Sequence, residues 1–330
     1  MSQLQFFGLP PEPTGALGPA EVPAELHALG ARLPAGLRLG TSSWSFSGWE
    51  GLVYDRPAKS DKLAREGLAA YAQHPLFRTV GLDRGYYAPI PLEAYQRYAA
   101  AVPPDFRFLA KAPAEVLSPW LTIERGGGEN PRFLDPSYAE DVAVGPFVEG
   151  LGEKAGPLLF QFAPFDLTIM GGPSRFAERL HAFLGALPQG PLYAVELRTQ
   201  GALGFDYAAA LQDLGVVHCF NVHSSMPRIR QQVEWLGETQ AQAPAVVARW
   251  MLGAGLRYQD AKERYQPFDR LVDEDPIARD DLGQLLSRDA RPRYLIVNNK
   301  AEGCSPRSIA ALAKRLVALE DPTNEGASHD

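Results

Sequence analysis

Eight apolar segments alternate with stretches of helical spacing in this chain of 330 residues, and the pattern predicts an α/β fold, a TIM (β/α)8 barrel. The apolar segments are continuous, as the strands of an all-parallel sheet covered by helices must be. Eight strands close such a barrel, and the chain shows no shorter repeat and no clear linker. We therefore predict a single barrel domain at 37–319, a short N-terminal arm at 1–36 and a flexible tail at 320–330.

The predicted strands are short apolar runs, and several of them end in a polar or charged residue. Each run is followed by a change to the helical period, so each strand begins a β–α unit. In chain order the strands span 37–41, 77–83, 106–111, 158–162, 192–198, 216–221, 246–249 and 294–298.

The predicted helices are marked by apolar residues at helical spacing and by start and stop residues. Pro34 stops the first helix, Asp61 is a cap for the second, and Pro91 suits a first helical position. Ser305 is the predicted cap of the last helix, with Pro306 at its first position. The helices span 24–33, 61–74, 91–102, 138–150, 174–187, 205–214, 229–242 and 305–319, and a weaker pattern lies within 258–289.

The loop at 112–136 follows the third predicted strand and contains Trp120, Arg125, three consecutive glycines and Arg132. Loops longer than about 15 residues in a compact domain are usually functional lids or disordered. We predict that this loop overhangs the site and is mobile without ligand.

Polar side chains gather at the predicted carboxyl ends of the strands, which form the active-site face of a TIM barrel. Glu196 and Arg198 are two residues apart at the end of the fifth strand, so they share one face of an extended chain. We predict Glu196, Lys111 and Asp83 as catalytic residues. The predicted ligand-binding residues are Arg198, Arg249, Gln161, Asn298, Asn299, Trp44 and Tyr87.

The cations Lys111, Arg198 and Arg249 come from alternate strands, which contribute to one side-chain layer, so we expect them to converge on an anion. The pair of Glu196 and Arg198 is either a structural ion pair or a clamp on an anionic group. Lys111 is either a general base or Schiff-base lysine, or a simple contact to phosphate or carboxylate.

The two asparagines at the end of the eighth strand and the two tryptophans after the first strand each have two interpretations. Asn298 and Asn299 either bind hydroxyl groups or only form a turn. Trp44 and Trp49 either stack on a ligand or close one end of the core.

Two other kinds of site fit the pattern less well. Asp83 and Glu196 could be the carboxylate pair of a glycosidase, but Gln161 and Arg249 stand where the largest group of barrel glycosidases has its acids. His223 could join the two carboxylates on a metal ion, but no close ligand spacing marks such a site. The sequence predicts no metal and identifies no cofactor.

The net charge of −7 argues against a generally basic nucleic-acid binder, so nucleic acid is a possible partner but not the favoured one. No apolar run approaches the roughly 18 residues of a membrane span, and the first residues lack the pattern of a secretory signal. Cys219 and Cys304 are expected to be free thiols. Together these observations predict a cytoplasmic protein that does not act on membranes.

Five segments in order carry a resemblance to a known family. They are G-T-S-S-W (40–44), F-R-F-L-A-K-A-P (106–113), L-L-F-Q-F-A-P (158–164), A-V-E-L-R (194–198) and V-N-N-K-A-E-G (297–303). In this order and spacing they resemble the YecE-like family, called domain of unknown function 72. The resemblance implies a TIM barrel, in agreement with the strand count, and implies no established activity.

The chain departs from the family pattern at two places. The usual V-E-x-N-x-x-F-Y is here V-G-L-D-R-G-Y-Y, with Gly81 and Asp83, so a carboxylate has moved two positions and stays on the same strand face. Arg249 matches the family's arginine in the seventh strand, but the usual R-x-H-G is here R-W-M-L-G. No role for a histidine therefore carries over.

These observations predict an enzyme that binds a small anionic, polyhydroxylated ligand, phosphorylated or sugar-like, at the carboxyl ends of the strands. Acid–base or hydrolytic chemistry suits the residues, although the sequence does not name the reaction. The alternatives are a non-catalytic binding or sensor protein that uses the same pocket, and a phosphodiester-processing enzyme that acts on nucleic acid.

Overall fold

The strands pair in parallel and in chain order, and the eighth strand pairs with the first, so the computed structural model shows a closed barrel. It describes residues 15–121, 123, 126–253, 255–287 and 289–320. The predicted TIM-barrel fold is confirmed, and every predicted strand is present. The strands are β1 Leu37–Thr41, β2 Phe77–Leu82, β3 Arg107–Lys111, β4 Ala155–Gln161, β5 Leu192–Glu196, β6 Val217–Val222, β7 Val246–Trp250 and β8 Arg293–Val297.

The α-helices of the described residues include one or more after each strand. They are α1 Ala24–Arg32, α2 Ser60–Glu66, α3 Leu68–Tyr71, α4 Leu92–Ala100, α5 Ala114–Leu117, α6 Pro136–Ala139, α7 Gly145–Leu151, α8 Pro173–Gly185, α9 Phe205–Asp213, α10 Ile229–Leu236, α11 Tyr258–Tyr265, α12 Pro276–Leu286 and α13 Ser305–Glu320.

Several helices differ in their limits from the prediction. The helix predicted at 61–74 is divided into α2 and α3 at Gly67, a residue of low helix propensity. The helix predicted at 229–242 ends as an α-helix at Leu236, because Gly237 takes a φ of 57° and leaves the helical conformation. The weak pattern within 258–289 corresponds to α11 and α12.

The start of α13 corrects the predicted cap. Ser305 is the first helical residue, and the Asn299 side-chain oxygen accepts hydrogen bonds from the Ser305 backbone N–H and hydroxyl, both at 2.8 Å. Asn299 therefore has the capping function that we expected of Ser305. At the start of α4, Pro91 similarly precedes the helix, which begins at Leu92.

Two apolar layers cover the two faces of the sheet. One lies between the strands and the helices and contains, among others, Phe108, Phe160 and Leu295. The other lies inside the barrel and takes its members from six strands, with Leu109, Leu159, Ala194, Cys219, Val247 and Ile296 among them. The inner layer fills the barrel, so the interior is a packed core and a ligand cannot pass through it.

The described part of the N-terminal arm contains α1, which packs against α13. Residues 1–14, most of the predicted tail at 320–330, and Arg125 of the predicted lid lie outside the described residues. Within the described residues no helix is long and apolar enough to cross a membrane. Both cysteines are free and buried, as expected.

Candidate functional site

Polar side chains replace the inner apolar layer at the carboxyl end of the barrel. Side chains alternate between the two faces of a strand, so residues two positions beyond the inner apolar residues also point inward. By this rule the residues that follow the inner layer are Lys111, Gln161, Glu196, Asn221, Arg249 and Asn298. Asp83 follows Gly81 by the same spacing, and a Cβ at Gly81 would point towards Ile296 of the inner layer.

Arg249 is the centre of this group. Its guanidinium is fully buried, and Nη1 donates to Glu196 Oε2 at 2.6 Å and to Gln161 Oε1 at 3.0 Å. Its Nη2 donates to both carboxylate oxygens of Asp83, each at 3.0 Å. Arg249 therefore links side chains from three other strand ends, which a planar guanidinium with several donors can do.

The other two cations contact the same carboxylates. Lys111 Nζ lies 3.2 Å from Asp83 Oδ1, and Arg198 Nη2 contacts Glu196 Oε1 directly. We call these five residues, Asp83, Lys111, Glu196, Arg198 and Arg249, the strand-end network. With three cations and two carboxylates, its formal charge is +1. The predicted convergence is thus present, but each cation already has a carboxylate partner.

Burial and charge act in opposite directions on Glu196, whose side chain is 0% exposed. Burial alone would raise the pKa of this carboxyl, but Arg198, Arg249 and Lys111 outweigh burial and hold its pKa at about 2. Glu196 is therefore a carboxylate at neutral pH and cannot serve as a general acid there. Its contacts suit it to holding Arg249 and Arg198 in place.

Lys111 has the opposite balance. Burial, and then the nearby charge of Arg249, lower the pKa of its ammonium group to about 8, against the opposing effects of Asp83 and Glu196. The Lys111 ammonium also lies 5.4 Å from the centre of the Tyr86 ring. A lysine with a pKa of about 8 is mostly protonated at pH 7 but has a neutral fraction of about a tenth, and that fraction can act as a general base.

Two cavities lie at this end of the barrel. The polar cavity, of about 630 Å³, is lined by Ser42, Ser43, Ser45, Asp83, Asn298 and Lys300 together with residues around α11. The aromatic cavity, of about 670 Å³, is lined by Tyr86, Trp120, Phe165 and several prolines. Tyr87 borders both cavities. Asp83, with 25% of its side chain exposed, is the network residue that faces the polar cavity.

The fold and this geometry can be compared with known proteins. A family profile described as "Protein of unknown function DUF72" matches residues 38–328. The chain belongs to the DUF72 family. The resemblance found in the five sequence segments is thereby confirmed, and the YecE-like name is consistent with it.

Solved structures of DUF72 proteins share the fold. One from Thermotoga maritima, at 2.20 Å resolution, has a TM-score of 0.57 and 21% identity, over 85% of this chain and 98% of that chain. One from Enterococcus faecalis, at 3.10 Å resolution, has a TM-score of 0.56 and 17% identity, over 86% of this chain and 95% of that chain. At such low identities the likeness shows the fold alone. No curated protein sequence matches this chain.

The departures from the DUF72 pattern have visible consequences. A Cβ at Gly81 would lie 3.2 Å from Ser42 Cα and 3.3 Å from Ile296 Cγ2, so the barrel is tight at this position. The carboxylate of Asp83 instead reaches Arg249 and Lys111 from just beyond the end of β2. In the segment R-W-M-L-G, Trp250 is fully buried, and the segment itself contains no histidine.

The remaining predicted ligand-binding residues differ in their burial and in whether they line a cavity. Trp44 is buried, donates its indole N–H to Leu63 O at 3.0 Å, packs against Tyr98 and lines neither cavity. Tyr87 is largely exposed at the border of the two cavities. Asn298 lines the polar cavity and donates to Ser42 Oγ at 2.9 Å, whereas Asn299 is buried as the cap of α13.

The predicted lid contributes to the walls of the aromatic cavity through Pro113, Trp120, Leu121 and Asn130. Its mobility remains a prediction. His223, the weaker metal candidate, bonds through Nδ1 to Ser225 Oγ at 2.9 Å. Among the described residues no group of three or more His, Cys, Asp and Glu side chains is arranged to hold a metal ion.

Sequence reasoning missed two residues of the site. Tyr86 approaches Lys111, and Lys300 lines the polar cavity with its side chain buried. Lys300 belongs to the segment V-N-N-K-A-E-G, in which only the two asparagines were predicted to bind a ligand. Its position directly after a strand end that carries polar residues was the available signal.

Proposed function

We propose that this DUF72 protein is an enzyme that binds a small anionic, polyhydroxylated compound at the carboxyl ends of the strands and acts on it by acid–base chemistry. The observation that carries the proposal is the contact between Lys111 and Asp83, at 3.2 Å, where the buried network meets the polar cavity. A base and a carboxylate in contact beside a cavity are suited to moving a proton to and from a bound ligand.

In this proposal Lys111 is the general base and Asp83 orients it and contacts the ligand. Burial beside Arg249 lowers the pKa of Lys111 to about 8, so a useful fraction of the neutral amine exists near neutral pH. Glu196 positions Arg249 and also contacts Arg198, and Arg249 in turn fixes Asp83 through both carboxylate oxygens. Glu196 is thus a positioning residue in the proposal.

The cavity walls support the nature of the ligand. Ser42, Ser43, Ser45 and Asn298 offer hydroxyl and amide groups to ligand hydroxyls. The ammonium groups of Lys262 and Lys300, which line the polar cavity, favour a negatively charged compound. We place the activity in the cytoplasm, because both cysteines are free thiols.

The test is turnover of a panel of sugar phosphates and sugar acids by the wild type and by Lys111→Met and Asp83→Asn. We expect each variant to lose about 100-fold or more in kcat. Lys314→Met, at an exposed position of α13, is the matched control and should keep wild-type activity. The wild-type kcat/KM should rise with pH and level off above about 8.

Unchanged turnover in Lys111→Met would contradict the role of Lys111. Tight binding of a panel member without any turnover by the wild type would favour the alternative of a non-catalytic binding protein. Cleavage of a phosphodiester in nucleic acid, with no activity on the panel, would favour the other alternative.

A further inference from the structure

Lys300 lies in the turn between β8 and α13 with its side chain enclosed. The residue is 6% exposed, and Nζ lies 4.1 Å from the centre of the Tyr258 ring and 5.8 Å from that of Phe268. Within the part of the chain that the structure describes, no carboxylate or other acceptor is bound to this ammonium group. Lys111, Arg198 and Arg249, by contrast, each contact a carboxylate.

An enclosed cation without a carboxylate partner is costly, because aromatic faces replace only part of the lost hydration. The cost is removed when an anion binds beside it. Lys300 lines the polar cavity, so an anion in that cavity can reach it. A nearly buried ammonium group that lines a cavity and has no carboxylate partner is therefore a suitable position for an anionic group of a ligand.

The surroundings of Lys300 offer further donors to an anion. The chain after β1 brings the hydroxyls of Ser43, Ser45 and Ser47 to the same cavity, and α2 brings that of Ser60. Lys262 of α11 adds a second ammonium group to the cavity wall. Hydroxyls and ammonium groups are donors to which phosphate oxygens bind strongly.

We infer that Lys300 anchors a phosphate monoester group in the polar cavity, and that the substrate of the proposed enzyme is a phosphorylated polyhydroxy compound. This inference rests on the proposed function, in which the rest of the substrate extends from the phosphate group towards Asp83 on the same cavity wall. A phosphate monoester carries close to two negative charges and three terminal oxygens, which matches two lysines and several hydroxyls better than a carboxylate does. Barrel enzymes often bind phosphate after strands seven and eight, where α11 and Lys300 lie.

The experiment measures binding by calorimetry, without any need for turnover. Inorganic phosphate and sugar phosphates are titrated into the wild type, Lys300→Gln, Lys300→Arg and the control Lys314→Gln. We expect Lys300→Gln to weaken phosphate binding by about tenfold or more, as the loss of a charge-assisted hydrogen bond does. Lys300→Arg should remain within a few-fold of the wild type, and Lys314→Gln should be unchanged.

A second readout separates ligand binding from a structural role. If Lys300 only stabilises the loop through its aromatic neighbours, Lys300→Gln should lower the melting temperature in phosphate-free buffer. We expect instead an unchanged or higher melting temperature without phosphate, and the loss of the rise that phosphate causes in the wild type. If Lys300→Gln fails to fold, the double variant Ser43→Ala with Ser45→Ala is titrated instead and should bind phosphate more weakly than the wild type.

The inference is overturned if Lys300→Gln binds phosphate as tightly as the wild type, or if the wild type binds none of these phosphates. It is also overturned if the sugar acids of the panel bind more tightly than the corresponding phosphates. None of these results removes the role of Lys111 and Asp83, because that role is tested by turnover. Loss of turnover in Lys111→Met, together with loss of phosphate binding in Lys300→Gln, would support both the proposed function and this inference.

Discussion

Replacing Glu196 with glutamine tests whether the strand-end network is held together by charge. The side chain is 0% exposed and bonds to Arg249 while contacting Arg198, so the variant leaves two buried guanidinium groups with Asp83 as the remaining carboxylate of the network. Removal of one partner from a buried ion pair costs about 3–5 kcal/mol, because the other charge stays buried without compensation.

The pKa of Glu196 gives an independent magnitude. Burial raises this pKa, but the three cations hold it at about 2 against an ordinary value of 4.5, a difference worth about 3 kcal/mol. Because the pKa is lower in the folded state, the stabilisation is present above pH 4.5 and is lost as the pH falls towards 2. The cost of removing an ion-pair partner and the pKa shift therefore both give about 3 kcal/mol for the contribution of Glu196 to stability at pH 7.

The assay is urea unfolding of the wild type and Glu196→Gln between pH 3 and pH 8. We expect the free energy of unfolding of the variant to be lower by about 3 kcal/mol at pH 7, with the difference shrinking below pH 4.5. Glu178→Gln is the matched control, since the pair of Arg175 and Glu178 is exposed and should contribute less than about 1 kcal/mol. Equal stability of the wild type and Glu196→Gln at pH 7, or a difference that does not depend on pH, would refute the reasoning.

Two further predictions concern stability. Lys111→Met should raise the free energy of unfolding at pH 7 by about 1–3 kcal/mol, because burial lowers the pKa of Lys111 and its charge opposes folding below pH 8; lower stability in urea unfolding would contradict this. Gly40→Ala should lower the free energy of unfolding by about 3 kcal/mol, since a Cβ at this position would lie 1.9 Å from Thr79 O across the β1–β2 pairing. Gly185→Ala, whose Cβ would meet only Leu214 at 3.6 Å, should be neutral or stabilising, and an equal loss in both glycine variants would show that close approach is not the cause.

The sequence was sufficient for the barrel and for the end of the barrel at which the polar residues meet. Continuous apolar strands and helical spacing required a parallel sheet covered by helices, and Lys111, Glu196 and Arg249 followed from their places at strand ends. Spacing of two residues also identified which side chains share the inner face. These inferences depend on local periodicity, which a single sequence shows directly.

The pairing within the site could not be read in the same way. That Arg249 binds both oxygens of Asp83, and that Asn299 rather than Ser305 caps α13, depends on strand register and side-chain reach. Lys300 was missed because its aromatic neighbours, Tyr258 and Phe268, lie about 30–40 residues away in a segment with weak periodicity. Contacts of this kind are set by tertiary packing and leave no local pattern.

The family resemblance led us to expect a carboxylate at position 81, whereas this chain has Gly81 and carries a carboxylate at Asp83. The barrel is tight at Gly81, where a Cβ would lie 3.2 Å from Ser42 Cα, so a side chain there would need its neighbours to give by a few tenths of an ångström. Asp83 begins about 7 Å further along the strand direction and still reaches Arg249 and Lys111. Since it also faces the polar cavity, Asp83 can contact a ligand that the enclosed Glu196 cannot reach. In the proposed function, the position of the carboxylate, rather than its presence alone, assigns proton transfer to Asp83 and Lys111 and leaves Glu196 to hold the arginines.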